Sequence, residues 1–162
     1  MIKKIFFGVI ILSSFVACKS KSAFNYSQEI VKKERSLAAD IETTENKVMT
    51  FMNNEQYDSF AAAGARMEKL VDSKLIEIKE KPAPDAKEGA AFKDAAVKYF
   101  SYLKSLYTAY KDIGNAPGAE AREKEMDKLR SLVNQKTSVL MSMQTAQKKF
   151  ADANGFKLED KP

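Results

Sequence analysis

Cysteine occurs once in this chain of 162 residues, at Cys18, and histidine does not occur at all. Without imidazole there is no Glu-x-x-His di-iron site, no His-ligated haem or zinc, and no triad built on histidine. A calcium site made only of carboxylates and carbonyls needs several oxygen ligands at close spacing in one loop. Asp152-Ala153-Asn154-Gly155 comes nearest, but it offers two side-chain ligands before the glycine and reads better as a helix terminus. Ser–Lys chemistry needs a lysine whose pKa is lowered by burial. Lys74 and Lys136 fall at apolar positions of helical patterns, where the simpler reading is a stem over apolar surface and an ammonium in water. No glycine-rich phosphate loop is present. The expectation is a protein that is not an enzyme and carries no cofactor and no metal.

That leaves Cys18, and its surroundings are informative. Lys3 and Lys4 form a basic start, Ile5 to Leu12 an apolar run, and Ser13-Ser14 lead to Ala17. This is the layout of a cleaved export signal, too short for a spanning helix of about 20 apolar residues. The end of the stretch, Phe15-Val16-Ala17-Cys18, resembles the lipobox of bacterial lipoproteins. Ala17 is the small residue wanted before the cut, and Phe15 stands where the family usually has leucine. The resemblance implies a diacylglycerol (palmitate-type) lipid on the Cys18 thiol, cleavage before it, and acylation of the new amine. The implied address is the bacterial cell envelope, at the outer membrane, with the membrane itself as a partner through the anchor.

The expected division is therefore 1–17 signal peptide, 18–22 lipidated tether, 23–156 one folded domain, and 157–162 a frayed tail. A remainder of 145 residues suits one domain with a packed core. The removed segment holds two lysines and no acid, so 25 Lys+Arg face 22 Asp+Glu, a formal +3 in place of +5. Nor is the excess clustered: EIVKKERSLAADIE, KLIEIKEK and EAREKEMDKLR mix both signs, as solvated helix faces do. No nucleic-acid partner is expected. Within the tether, Lys19 and Lys21 suit either a plain soluble spacer or contact with anionic headgroups.

Four helical patterns follow. Ile30, Leu37, Thr44 and Phe51 recur every seven residues, with Ile41 and Val48 in the adjoining row, predicting a helix from Phe24 to Met52. The phase breaks at Asn53-Asn54, and Asn53 with Gln56 has the spacing of a helix-start box. A second register runs through Tyr57, Phe60, Gly64, Met67, Val71 and Ile78 until Pro82 and Pro84 end it. Asp85 with Glu88 gives the next start signal. The third seam is Phe92, Ala96, Tyr99, Leu103, Leu106, Tyr110 and Ile113, a coiled-coil spacing closed by Gly114 and Asn115. Pro117 suits the first turn of a fourth helix, whose seam includes Met126, Leu129, Val133, Leu140, Met143 and Phe150, with Lys136 and Gln147 as polar exceptions. Asn154-Gly155 ends it, and Phe156 is placed to fold back on Phe150. The fold class expected is all-α, an up-down-up-down four-helix bundle.

The opening FNYSQEIVKKE and closing QKKFADANGFKLED, around an all-helical lipoprotein of this length, resemble an uncharacterised family of surface lipoproteins first named in Leptospira-type bacteria. The resemblance implies a surface or envelope location and carries over no site residue. An up-down bundle brings both termini to one end, so the Asn53-Asn54 turn and the Gly114–Gly118 turn face away from an anchor at Cys18. Candidate partner contacts are Asn53, Asn54 and Asn115 at that distal end. Tyr102 and Tyr107 lie off the third seam and join them, since tyrosines on a surface are good interface anchors. The functional expectation is a membrane-anchored interaction or structural module. The alternative is a carrier holding an apolar ligand within the bundle, which an underfilled core would favour.

Overall fold

A computed structural model describes residues 12–158, with side chains from Ser20 onward. Residues 1–11 of the expected signal peptide, the Cys18 side chain and the last four residues of the tail lie outside the described residues. The chain forms four helices: α1 (Leu12–Asn53), α2 (Tyr57–Glu80), α3 (Gly89–Asn115) and α4 (Ala119–Asn154). Each packs on its neighbours in sequence, and α4 returns to α1, giving the all-α up-down-up-down bundle. The α2–α3 pair is the most intimate contact and α1–α4 the slightest.

Apolar periodicity accounts for the elements, while their ends depart from the sequence signals. The predicted first helix lies inside α1, which starts earlier and runs without a break through Lys19–Ser22, the stretch expected as a tether. Nothing in Lys-Ser-Lys-Ser breaks a helix, because neither glycine nor proline is present. The helices do not start where the start signals put them. Asn53 closes α1, and α2 starts behind Gln56, whose side chain makes no capping bond. Backbone bonds make this turn instead, Gln56 N–H to Phe51 C=O at 2.8 Å and Glu55 N–H to Met52 C=O at 3.2 Å. Glu88, not Asp85, precedes α3, and it sits in the left-handed region at φ 60° without a capping bond. Pro117 lies two residues before the first residue of α4 rather than in its first turn.

Gly114 does not stop α3 by turning left-handed. It stays helical and buried, and a Cβ there would meet the Ala61 nitrogen and the Tyr57 carbonyl oxygen at 2.5 Å. Gly64 on α2 does the same in the other direction, 2.5 Å from the Lys111 nitrogen. Two missing side chains let α2 and α3 touch backbone to backbone. The end of α4 is as expected: Gly155 is left-handed at φ 69°, and the Phe156 N–H returns to the Ala151 C=O at 3.2 Å. Phe156 then packs edge-on against Phe150, ring centroids 5.7 Å apart.

At that end the core is a pile of rings. Phe92 and Phe150 stack at 5.0 Å, Tyr26 stands edge-on to both, and Phe24 closes on Phe156 at 5.7 Å. The α1–α2 edge is laced by ion pairs, Arg66 to Asp40 at 2.5 Å with Lys33–Glu77 and Lys81–Glu29 beside it. The seam predicted for α4 fails in its middle. Val133 is 52% exposed and Lys136 is exposed. All six residues from 133 to 138 are exposed, whichever face of the helix they occupy. The α3 seam residues Tyr99, Leu103 and Leu106 are likewise only half-buried. Here α4 stands away from α1.

Candidate functional site

The distal end gathers the two turns that the topology predicts to be neighbours. The Arg122 guanidinium, in the first turn of α4, lies 3.4 Å from the centroid of the Tyr57 ring at the start of α2. Its Nη2 also donates to the Ala116 carbonyl at 3.3 Å. This cation–π contact and bond fix the α3–α4 turn against the α1–α2 turn. Asn53, Asn54 and Asn115 are all exposed at that end, free for contact.

Tyr102 and Tyr107 are not surface residues. Tyr102 is 9% and Tyr107 1% exposed. The reason is that α3 is covered on two flanks, by α2 and by α4, so a single seam understates its buried face. The Tyr102 hydroxyl donates to the Leu132 carbonyl of α4 at 3.1 Å, which pins α4 over α3. Tyr107 packs edge-on to Tyr110 at 5.6 Å.

What sequence reading missed is the partners of the neighbouring seam tyrosines, Tyr99 and Tyr110. Tyr99 donates to Glu34 and Tyr110 to Glu45, each at 2.9 Å, so two α1 carboxylates reach toward the bundle interior. Among mixed charges such as KKERSLAADIE they look solvated. The available signal was their spacing, since Glu34, Ala38, Ile41 and Glu45 share one helix face. Burial pushes the Tyr99, Tyr107 and Tyr110 hydroxyls well above their ordinary pKa, with the Glu34 charge adding at Tyr99 and the Glu45 charge at the other two.

A pH dependence follows with a definite sign. Unfolded tyrosine ionises near pH 10. A folded-state pKa raised above that value contributes stability that is whole below about pH 10 and is lost as pH rises beyond it. We expect the bundle to lose stability above about pH 10, with tyrosinate absorbance appearing together with the loss of helical signal. Tyrosine ionisation complete near pH 10 in an intact helical protein would contradict these buried hydroxyls.

The remaining candidates are structural. Lys74 is half-buried and bonds Glu77 at 3.1 Å, and Lys136 is out in solvent. Asp152 pairs with Lys148 at 2.9 Å, while the Asn154 amide donates to the Phe150 and Lys87 carbonyls. Neither is set as a calcium ligand. Glu68 is pushed up by burial but held below the usual carboxylate range by bonds from Lys111 and Thr108, which join α2 to α3. Among the described residues no group of three or more acids could hold a metal ion, and no helix is long and apolar enough to cross a membrane. Among the described residues, hollows open at the surface beside Tyr26 and Lys81, between Ala91 and Met141, and between Ser20 and Gly155. No family model, curated protein or solved structure matches the chain.

Proposed function

We propose that this chain is a lipid-anchored protein of the bacterial cell envelope, at the outer membrane, and a non-enzymatic interaction or structural module of the surface-lipoprotein type that its sequence resembles. The observation that carries this is the arrangement of residues 3–18: a basic start, an apolar run and Ala17 directly before the only cysteine. One fatty chain gives marginal membrane attachment and two give a stable one, so a lipidated, N-acylated Cys18 is a permanent anchor. Stacked rings and close α2–α3 backbones favour an interaction module over a carrier of apolar ligand. The exposed Asn53, Asn54 and Asn115, at the end away from the anchor, are the surface this module presents to a protein partner.

Cys18→Ser tests the reading. The altered chain is expected to leave the membrane fraction, to lose incorporation of labelled palmitate, and to keep its helical circular dichroism. Retention in washed envelopes would defeat the proposal at its root.

A further inference from the structure

The end of the bundle nearest residue 18 carries a hollow of about 410 Å³, within the size range of small-ligand sites, about 300–1,000 Å³. Lys21, Asn25 and Glu29 line it from α1, spaced four residues apart and so on one face of the helix. Lys81, Pro82 and Pro84 close it from the loop that follows α2. Both prolines have a fixed φ and no backbone N–H, so that side is a stiff wall. Tyr26, 4% exposed, also lines the hollow.

The donors of this lining go unused by the chain. Lys21 and Asn25 are exposed, and neither they nor Ser22 beside them has a side-chain partner among the described residues. The Tyr26 hydroxyl is buried and makes no hydrogen bond, although buried polar groups are nearly always bonded. Lys81 is held in place twice, by its ion pair with Glu29 and by the Tyr26 ring, whose centroid is 5.8 Å from the ammonium. Two ammoniums and one carboxylate give the lining a net charge of +1. That is the complement of one phosphodiester, a group that ammoniums and neutral donors bind together.

We propose that this hollow binds the phosphodiester headgroup of an anionic phospholipid, with Lys21 and Lys81 on the phosphate and Ser22 and Asn25 donating to its oxygens. A lipid is the source, rather than dissolved phosphate, because of where the hollow lies. Lys21 is three residues from residue 18 on a continuous helix, about 4.5 Å along its axis. An anchor at residue 18 keeps both ammoniums within about a Debye length of the headgroups. This choice of source rests on the proposed lipid anchor. A headgroup so bound joins α1 to the α2–α3 loop and gives the protein a second hold on the membrane.

The test uses the full chain, purified in detergent micelles and titrated with a short-chain phosphatidylglycerol. Native mass spectrometry reads the share of protein that carries it. The unaltered protein is expected to take up one molecule. Lys21→Gln, which breaks no ion pair, is expected to raise the dissociation constant about fivefold, the contribution of one lysine at an anionic surface. Lys81→Gln is expected to do at least as much. Lys124→Gln, exposed at the opposite end of the bundle, is expected to bind as the unaltered protein does. Equal weakening by Lys124→Gln, equal uptake of a short-chain phosphatidylcholine, or displacement of the lipid by equimolar inorganic phosphate would each overturn the proposal. The denatured mass of the same preparation reads the anchor separately. A chain without covalent lipid that still loses affinity through Lys21→Gln supports the headgroup site and counts against the anchor alone. A covalently lipidated chain that takes up no phosphatidylglycerol supports the anchor and overturns the headgroup site.

Discussion

Replacing Phe150 with alanine is expected to lower stability by about 3–5 kcal/mol. Phe150 is fully buried and meets three rings: it stacks on Phe92 and stands edge-on to Tyr26 and Phe156. It therefore joins α4 to α3 and α1, and also holds the turn that ends α4. Truncation leaves a cavity the size of a ring between rigid neighbours, which collapse poorly. Domains of this size have about 5–15 kcal/mol in all, so the loss is a large share of the total. Urea titration followed by circular dichroism measures it through the midpoint at constant slope. A loss under about 1 kcal/mol, no more than a typical point substitution costs, would mean that the pile is not the closed layer described.

The second large effect has a sign opposite to helix propensity. At an exposed helical site, Gly→Ala stabilises by about 1 kcal/mol. At Gly64 and Gly114 the added carbon would lie 2.5 Å from backbone atoms of the facing helix. Backbone cannot rotate aside as a side-chain tip can, so α2 and α3 must separate along the pair that is packed most closely. Gly64→Ala and Gly114→Ala are each expected to cost about 1–3 kcal/mol net, and the valine variants more. Thermal melts of the two alanine variants decide the matter. A raised midpoint in either would show that the helices are not in backbone contact there.

These glycines also mark how far the sequence could be read. The helices were legible because Ile30, Leu37, Thr44 and Val48, or Phe60, Met67, Val71 and Ile78, repeat with helical period and are all buried. Pro82 and Pro84 placed the α2–α3 break, and Gly155 with Phe156 placed the last one. Gly64 and Ala96 are small seam residues, which suit either a pocket or a close approach. Only the positions of the facing backbones choose the second at Gly64, which no pattern on one helix contains. Tyr102 and Tyr107 were misplaced for a related reason: a seam describes one buried stripe, and α3 is buried on two flanks. Val133 and Lys136 had the right spacing for a core that α1 does not reach to complete. The carboxylates at Glu34 and Glu45 were hidden because their partners are tyrosines 65 positions away in the chain. Distal Asn53, Asn54 and Asn115 followed from topology alone, and they are where topology puts them.

The unbroken course of α1 has a mechanical consequence. From Leu12 to Asn53 it is 42 residues of continuous helix, about 63 Å at 1.5 Å per residue. Ala23, fully buried, is its first residue packed into the core. Between residue 18 and that point there is no glycine or proline to act as a swivel. Whatever holds the chain at residue 18 therefore grips a stiff spindle rather than a cord. An anchor at that residue would hold the bundle within about two helical turns of itself, with no length of slack chain between them.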